Sequence, residues 1–250
     1  MGSITLFESK THRNILLEDY GHGLAVQANQ HLVVHNGQGL ILDPGGHKVY
    51  SRALTETNAL LEGGRLKYIF FSHQDPDVIA AANGWLMTTD AVAYISALWV
   101  RFVPHFGLDR LVENRLRPIP DPGLSLEIDD CRFCILPAHF LHSPGNFQLY
   151  DPVSRILYSG DLGASLGVDY TEVRDFDAHI PYMEGFHRRY MASRQALRAW
   201  ARLARQLDVE LIAPQHGAFF RGRAMVSRFV DWCEQLPCGI DILPRFDLPA

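Results

Sequence analysis

The sequence predicts an α/β chain folded as a four-layer αββα sandwich. Three observations carry this reading. Short aliphatic and β-branched runs come in two batches, each batch gives way to segments of helical period, and no proline-rich or charged linker divides them. A single domain over residues 1–250 is the expectation, because 250 residues with 47% hydrophobic content can bury a substantial core.

The first batch is ITLFE, NILLED, HLVVH and GLILD, set between glycine and asparagine turns, and reads as an antiparallel opening to about residue 45. After DPGG the period changes. VYSRALTETNALLE is helical, LKYIFFS is a short apolar strand, VIAAANGWLMTT is helical again and AVAYIS is a further strand. The second batch, between 115 and 162, comprises LSLEI, CRFCILPA, FQLYD and RILYSGD. A loop is expected to about residue 181, then a helix over roughly 182–206, a buried strand ELIAP and a last helix over about 222–235.

Charge and composition remove several function classes. A formal charge of -5 with scattered Lys and Arg offers no basic stripe for phosphates, which argues against nucleic acid as the primary partner. MGSITLFESK has no apolar core of a signal peptide, and no stretch of about 18 apolar residues occurs. A cytoplasmic protein without a membrane partner is the expectation. The cysteines fall in two pairs, CRFC and CEQLPC. On a strand, residues three apart face opposite ways, so Cys131 and Cys134 do not converge, and all four are read as buried packing thiols.

The chemistry concentrates where apolar strands end. LKYIFFS runs into His73, followed by Asp75 and Asp77 at alternate positions, with Pro76 where a helix can begin. His142 follows CRFCILPA, Asp161 follows RILYSG and His216 follows ELIAPQ. One histidine after a strand is ordinarily hydrogen-bonded structure. Four strand ends bearing His and Asp can meet at one edge of paired sheets, as a metal site requires.

With these residues in place the chain resembles the metallo-β-lactamase superfold. Within it the chain is similar to the diiron domain of flavodiiron proteins and to their stand-alone relatives, the oxygen-binding di-iron proteins. Their pattern is H-x-E-x-D-H, a His in an LHxP context, an Asp near a strand end and a C-terminal His. This sequence has His73, Asp75 in the Glu place, Asp77, His142 in LHSP, Asp161 in LYSGD and His216 in APQHG. HSPGNFQLYDP and SGDLGAS are similar to the stand-alone group. The resemblance implies that His73, Asp75 and His142 hold one iron, Asp77 and His216 the other, and that Asp161 bridges them. It implies further that Asp43, in DPGG, supports the site rather than ligating.

Ligand type bears on the metal. Dinuclear zinc hydrolases of this superfold favour H-x-H-x-D-H, whereas Asp75 replaces the middle imidazole with a hard oxygen donor, shifting preference toward iron or manganese without excluding zinc. Three carboxylates leave one positive charge on two ferrous ions, which a bridging hydroxide cancels and, after oxidation, an oxo bridge would meet. Val78 stands where the pattern has its second histidine. It either leaves a coordination position open for a small ligand or marks a weakened site.

His139 competes with His142. Residues three apart in an extended segment face opposite ways, so one of them ligates; LHSP favours His142 and leaves His139 as a proton-relay candidate. His179, His187 and Tyr190 in AHIPYMEGFHRRYM either line the pocket or lie on a helix surface.

Three functions follow. The first is a diiron protein that binds dioxygen, or nitric oxide, as a sensor or as a reductase. Since the chain carries neither a flavodoxin-like segment nor a rubredoxin-like cysteine set, electrons or signals would pass through a separate protein partner, which favours sensing; related domains pair head to tail when they carry a flavodoxin unit, so a homodimer is an open expectation for this chain, which lacks one. The second is a dinuclear hydrolase using a bridging hydroxide, which would want His at positions 75 and 78. The third is a binding module with structural metal, disfavoured by ligands that sit at strand ends rather than in the core.

Overall fold

The structure is a computed structural model that describes residues 2–17, 19–21, 26–246 and 248. The first sheet runs in chain order: β1 (Ile4–Glu8), β2 (His12–Leu16), β3 (His31–His35), β4 (Gln38–Leu42), β5 (Arg65–Phe70), β6 (Val92–Ser96) and β7 (Leu116–Ile119). Its opening hairpins are antiparallel, and from β4 onward the pairs are parallel. The second sheet holds β8 (Leu124–Ile128), β9 (Cys131–Pro137), β10 (Phe147–Asp151), β11 (Ile156–Gly160), β12 (Leu211–Pro214) and β13 (Phe220–Arg221), in the order β13-β12-β11-β10-β9-β8.

Parallel strands need crossovers, and helices supply them. Helices α1 (Tyr50–Leu60), α2 (Pro76–Ile79) and α3 (Ala82–Thr88) belong to the first half; α4 (Phe176–Tyr190), α5 (Arg194–Ala204) and α6 (Arg223–Gln235) belong to the second. Three apolar clusters fill the spaces between four layers. Leu32, Ile41, Ile69 and Trp85 pack sheet one on its helices. Val33, Leu40, Phe70, Phe133, Phe147 and Leu149 fill the gap between the sheets, and Ile212, Trp200 and Phe229 pack sheet two on its helices. Alternation explains the assignment: Leu32 and Val33, neighbours on β3, point into different clusters. Each such fully buried side chain contributes about 1.5–3 kcal/mol.

The sequence expectation of αββα layering is met, and three details are corrected. The helix expected over roughly 182–206 is two helices, and the loop expected to 181 is already helical from Phe176. Asp175 caps the first by accepting from the backbone N–H groups of Asp177 and Ala178, and Ser193 caps the second at Ala196. Pro181, at the expected end of that loop, lies within α4. VIAAANGWLMTT likewise spans the end of α2 and α3 rather than one helix. Strand β7 was not evident from LRPI because Pro118 interrupts it; it is an edge strand, where proline is tolerated.

Candidate metal centre

Each of the four strand ends named from sequence arrives at one edge of the sandwich. Beyond β5 lie Ser72 and His73, and α2 begins directly after Asp75. Asp75 occupies the helix N-cap position, yet its carboxylate bonds no helix N–H and is free to face the centre. Sheet two contributes His142 from the loop after β9, Asp161 immediately after β11 and His216 after β12. Gly160, the residue before Asp161, has φ +57, and a Cβ there would lie 3.3 Å from the Ser72 side chain. Glycine therefore lets the two sheets approach just where the ligand candidates meet.

Asp161 is the hub. Its Oδ2 lies 2.8 Å from His142 Nε2 and 3.7 Å from His73 Nε2, while its Oδ1 lies 3.4 Å from His216 Nε2. Asp75 Oδ2 is 3.6 Å from His73 Nε2 and 3.4 Å from His142 Nε2. Asp77 Oδ2 is 3.4 Å from His216 Nε2. Ligand atoms of His73, Asp75, His142 and Asp161 all lie within 4.8 Å of one another, as donors around one ion must. Oδ1 of Asp161 is buried without a hydrogen-bond partner, although His216 is near. An unpartnered buried carboxylate oxygen amid imidazoles is accounted for by a cation. The donor set therefore fits metal.

Other residues fix which nitrogen each histidine presents. Ser72 Oγ lies 2.9 Å from His73 Nδ1, and the Gln27 carbonyl accepts from His216 Nδ1 at 2.5 Å, so both Nε2 atoms are left to the centre. Asp43 accepts the Ser72 backbone N–H, a supporting role in keeping with DPGG. Gln74 donates to Asp75 Oδ1 at 2.9 Å; the same amide's oxygen accepts from Ser143 Oγ, which accepts from Trp99 Nε1. The loop that carries His142 is thus tied to the loop that carries Asp75. Ser72, Gln74, Gln27 and Ser143 were not singled out from sequence, where a serine or glutamine beside a ligand carries no distinguishing signal.

The electrostatics agree. Burial is the largest influence on His142 and lowers its pKa, but contacts with Asp161 and Asp75 together outweigh it and bring it up to about 10. His216 is raised to about 9, again against burial, chiefly by Asp161. Burial alone would raise Asp161; the charge of His73 and the contacts from His142 and His216 instead hold it well below the usual carboxylate range. Burial raises Asp77. The cluster attracts positive charge, which in the absence of metal falls to protons on its imidazoles.

The remaining candidates separate. Tyr190 lies with its ring 5.6 Å from that of His142 and stacks on Phe186 at 4.6 Å, so it borders the centre. His187 is fully buried rather than on a helix surface: its Nδ1 donates to the Met183 carbonyl at 2.7 Å, and its Nε2 accepts the Gly163 backbone N–H at 2.8 Å. It braces the turn after Asp161. His179 contacts Tyr170, and His139 bonds the Asp121 carbonyl and packs on Phe147 rather than on any of the six. Val78 is fully buried in the cluster beneath sheet one.

The sequence profile of the ODP family beta lactamase matches residues 26–217. The chain belongs to the ODP family. A solved structure described as the peroxy diiron species of chemotaxis sensor ODP shares 42% identity and a TM-score of 0.86, with 97% of this chain and 98% of that chain covered. The apo state of chemotaxis sensor ODP from T. denticola also shares 42% identity, with a TM-score of 0.84 and coverage of 96% and 97%. Rubredoxin oxygen:oxidoreductase from the anaerobe Desulfovibrio gigas is 14% identical with a TM-score of 0.77, covering 93% of this chain and 61% of that one; this likeness is one of fold. Comparison with curated protein sequences gives no match. The resemblance drawn from the motifs is thus borne out at the level of family, and the β-lactamase-like fold with it.

Proposed function

We propose that this ODP family protein is a non-haem diiron protein that binds dioxygen and reports it to a signalling partner. The observation that carries the reading is the division of Asp161: Oδ2 faces His73 and His142, and Oδ1 faces His216. A carboxylate so placed suits two ions. His73, Asp75 and His142 would hold one, Asp77 and His216 the other, with Asp161 between them. Iron is favoured by three hard oxygen donors and by the diiron species named for the 42% identical sensor.

When bound, the iron pair supplies electrons and an open coordination position for a diatomic ligand. The chain's own residues do the rest. Ser72 and the Gln27 carbonyl hold Nε2 of His73 and His216 toward the metals, and Gln74 fixes Asp75. Val78, apolar where a sixth-position histidine would ligate, leaves the ion beside Asp77 with one protein donor fewer. Asp75 and Asp77 are the exposed side of the centre, at 34% and 31%, and form the entrance. Tyr190 and Phe186 border His142 with aromatic surface.

Sensing, rather than reduction, is the reading that the 42% identical relatives named as chemotaxis sensors support. Anaerobic purification with metal analysis, followed by absorption spectra before and after air, tests the proposal. Two irons per chain and a new charge-transfer band that persists without a reductant are expected. Two zincs, an unchanged spectrum and hydrolysis of a generic ester would sink it, and steady oxygen consumption with a reductase and NADH would indicate reduction instead.

A further inference from the structure

At the far end of the sandwich from this centre lies a second cluster of donors. His12 on β2 and His35 at the end of β3 are directly paired across the first sheet, and Cys131 opens β9 of the second. All three are buried, at 1%, 4% and 2% exposure, and one ligand atom from each lies within 4.8 Å of the others. Cys131 and Pro137 end the same strand, so the cluster stands on the order of 20 Å from the loop that carries His142.

The hydrogen bonds make the arrangement incomplete as it stands. His12 Nε2 lies 2.7 Å from Asp151 Oδ2, and that carboxylate, also bonded by Asn14 and Ser154, is held below the usual range. Nε2 of His35 lies 2.8 Å from Asp130 Oδ1. A carboxylate only accepts, so both Nε2 atoms carry the hydrogen. In neutral rings both Nδ1 atoms then present lone pairs, and these two atoms face one another at 3.0 Å. Two lone pairs at that distance repel unless a cation lies between them. Imidazoles backed by carboxylates are the usual supports of a metal ion, and the Cys131 sulfur beside them is a soft donor.

We propose that His12 Nδ1, His35 Nδ1 and Cys131 Sγ form a second metal site, for a zinc-class divalent ion, that clamps the two sheets together. Tetrahedral zinc with bonds of about 2.0–2.1 Å separates two nitrogens by about 3.3 Å, a small opening from 3.0 Å. Binding exchanges the Cys131 S–H proton for a sulfur–metal bond and releases one proton; water completes the coordination. Burial, with Asp151 and Asp130 adding to it, pushes the free thiol up to about 12, so in the absence of metal the sulfur keeps its proton. Only one cysteine of CRFC takes part, since Cys134 faces the other side of β9.

The test is titration of the full-length chain with cobalt(II), the spectroscopic stand-in for zinc. A thiolate-to-cobalt charge-transfer band is expected at one ion per chain, with release of one proton, abolition in Cys131→Ser and displacement by zinc. No cysteine belongs to the His/Asp centre, so the band reads this site whatever metal that centre holds. Its absence from the wild-type chain, with imidazole proton resonances showing a proton shared between His12 and His35, would overturn the proposal. Retention of the full band in Cys131→Ser would overturn it equally.

Discussion

The backbone N–H of Ser72 donates to Oδ1 of Asp43 at 2.8 Å, and the Ser72 hydroxyl lies 2.9 Å from His73 Nδ1. Asp43 therefore acts on the centre through a serine, at one remove. Asp43→Ala is expected to weaken iron binding about 10- to 100-fold. Chelator competition measures this, and an unaltered affinity would show that the DPGG turn does not orient His73.

Asp161 reaches both halves of the centre. Asp161→Ala is expected to lose both metals together, whereas His216→Ala is expected to lose one preferentially. Metal content per chain distinguishes these outcomes, and a full complement in the Asp161 variant refutes bridging.

Val78 gives a metal-dependent prediction. An imidazole without a partner at this fully buried position costs about 1–3 kcal/mol, so Val78→His without metal should melt several degrees lower. With iron the same ring gains a ligand role, recovers the loss and slows oxygen binding. Melting curves with and without iron, and stopped-flow mixing with oxygen, check both signs; equal destabilisation in the two states would deny position 78 access to the metal.

His187 gives a pH dependence. Burial, opposed by the Met183 carbonyl, lowers it from 6.5 to about 4. The stabilising contribution is present above pH 6.5 and is lost as pH falls from 6.5 through about 4, because the unfolded chain takes up a proton that the folded chain refuses. Its size is on the order of 3 kcal/mol. Denaturant unfolding between pH 7 and pH 4 should show a shallower decline in His187→Gln, and an identical slope would assign the effect to other groups.

The layers and the strand-end residues were legible because they rest on period and on local sequence: HLVVH and LKYIFFS read as strands, and each runs into a turn. What was not legible depends on distant neighbours. Pro181 lies inside α4, whose start is set by the Asp175 cap, and LRPI becomes a strand only because β6 is beside it. The Gln27 carbonyl lies 189 residues from His216 in sequence and was invisible for that reason. The grouping of Cys131 with His12 and His35 is of the same kind, since CRFC directs attention to the cysteine pair rather than to a histidine on another sheet.

Of the six side chains at the centre, three hang from the first sheet and three from the second. An iron pair held by these six would therefore be a seam, adding its ligand bonds at that edge to the apolar core that already joins the two sheets. Nearby, the Phe147 backbone N–H of one sheet already donates to the Ser72 carbonyl of the other at 2.9 Å. A change of oxidation state in a pair so held would act on both sheets at once, through the Ser72 and His73 segment on one side and the Asp161 turn on the other. Amide hydrogen exchange should report it: protection around Ser72 and around Leu162 is expected to rise together on iron loading and to shift together on exposure to air, and independent changes would unpick the seam.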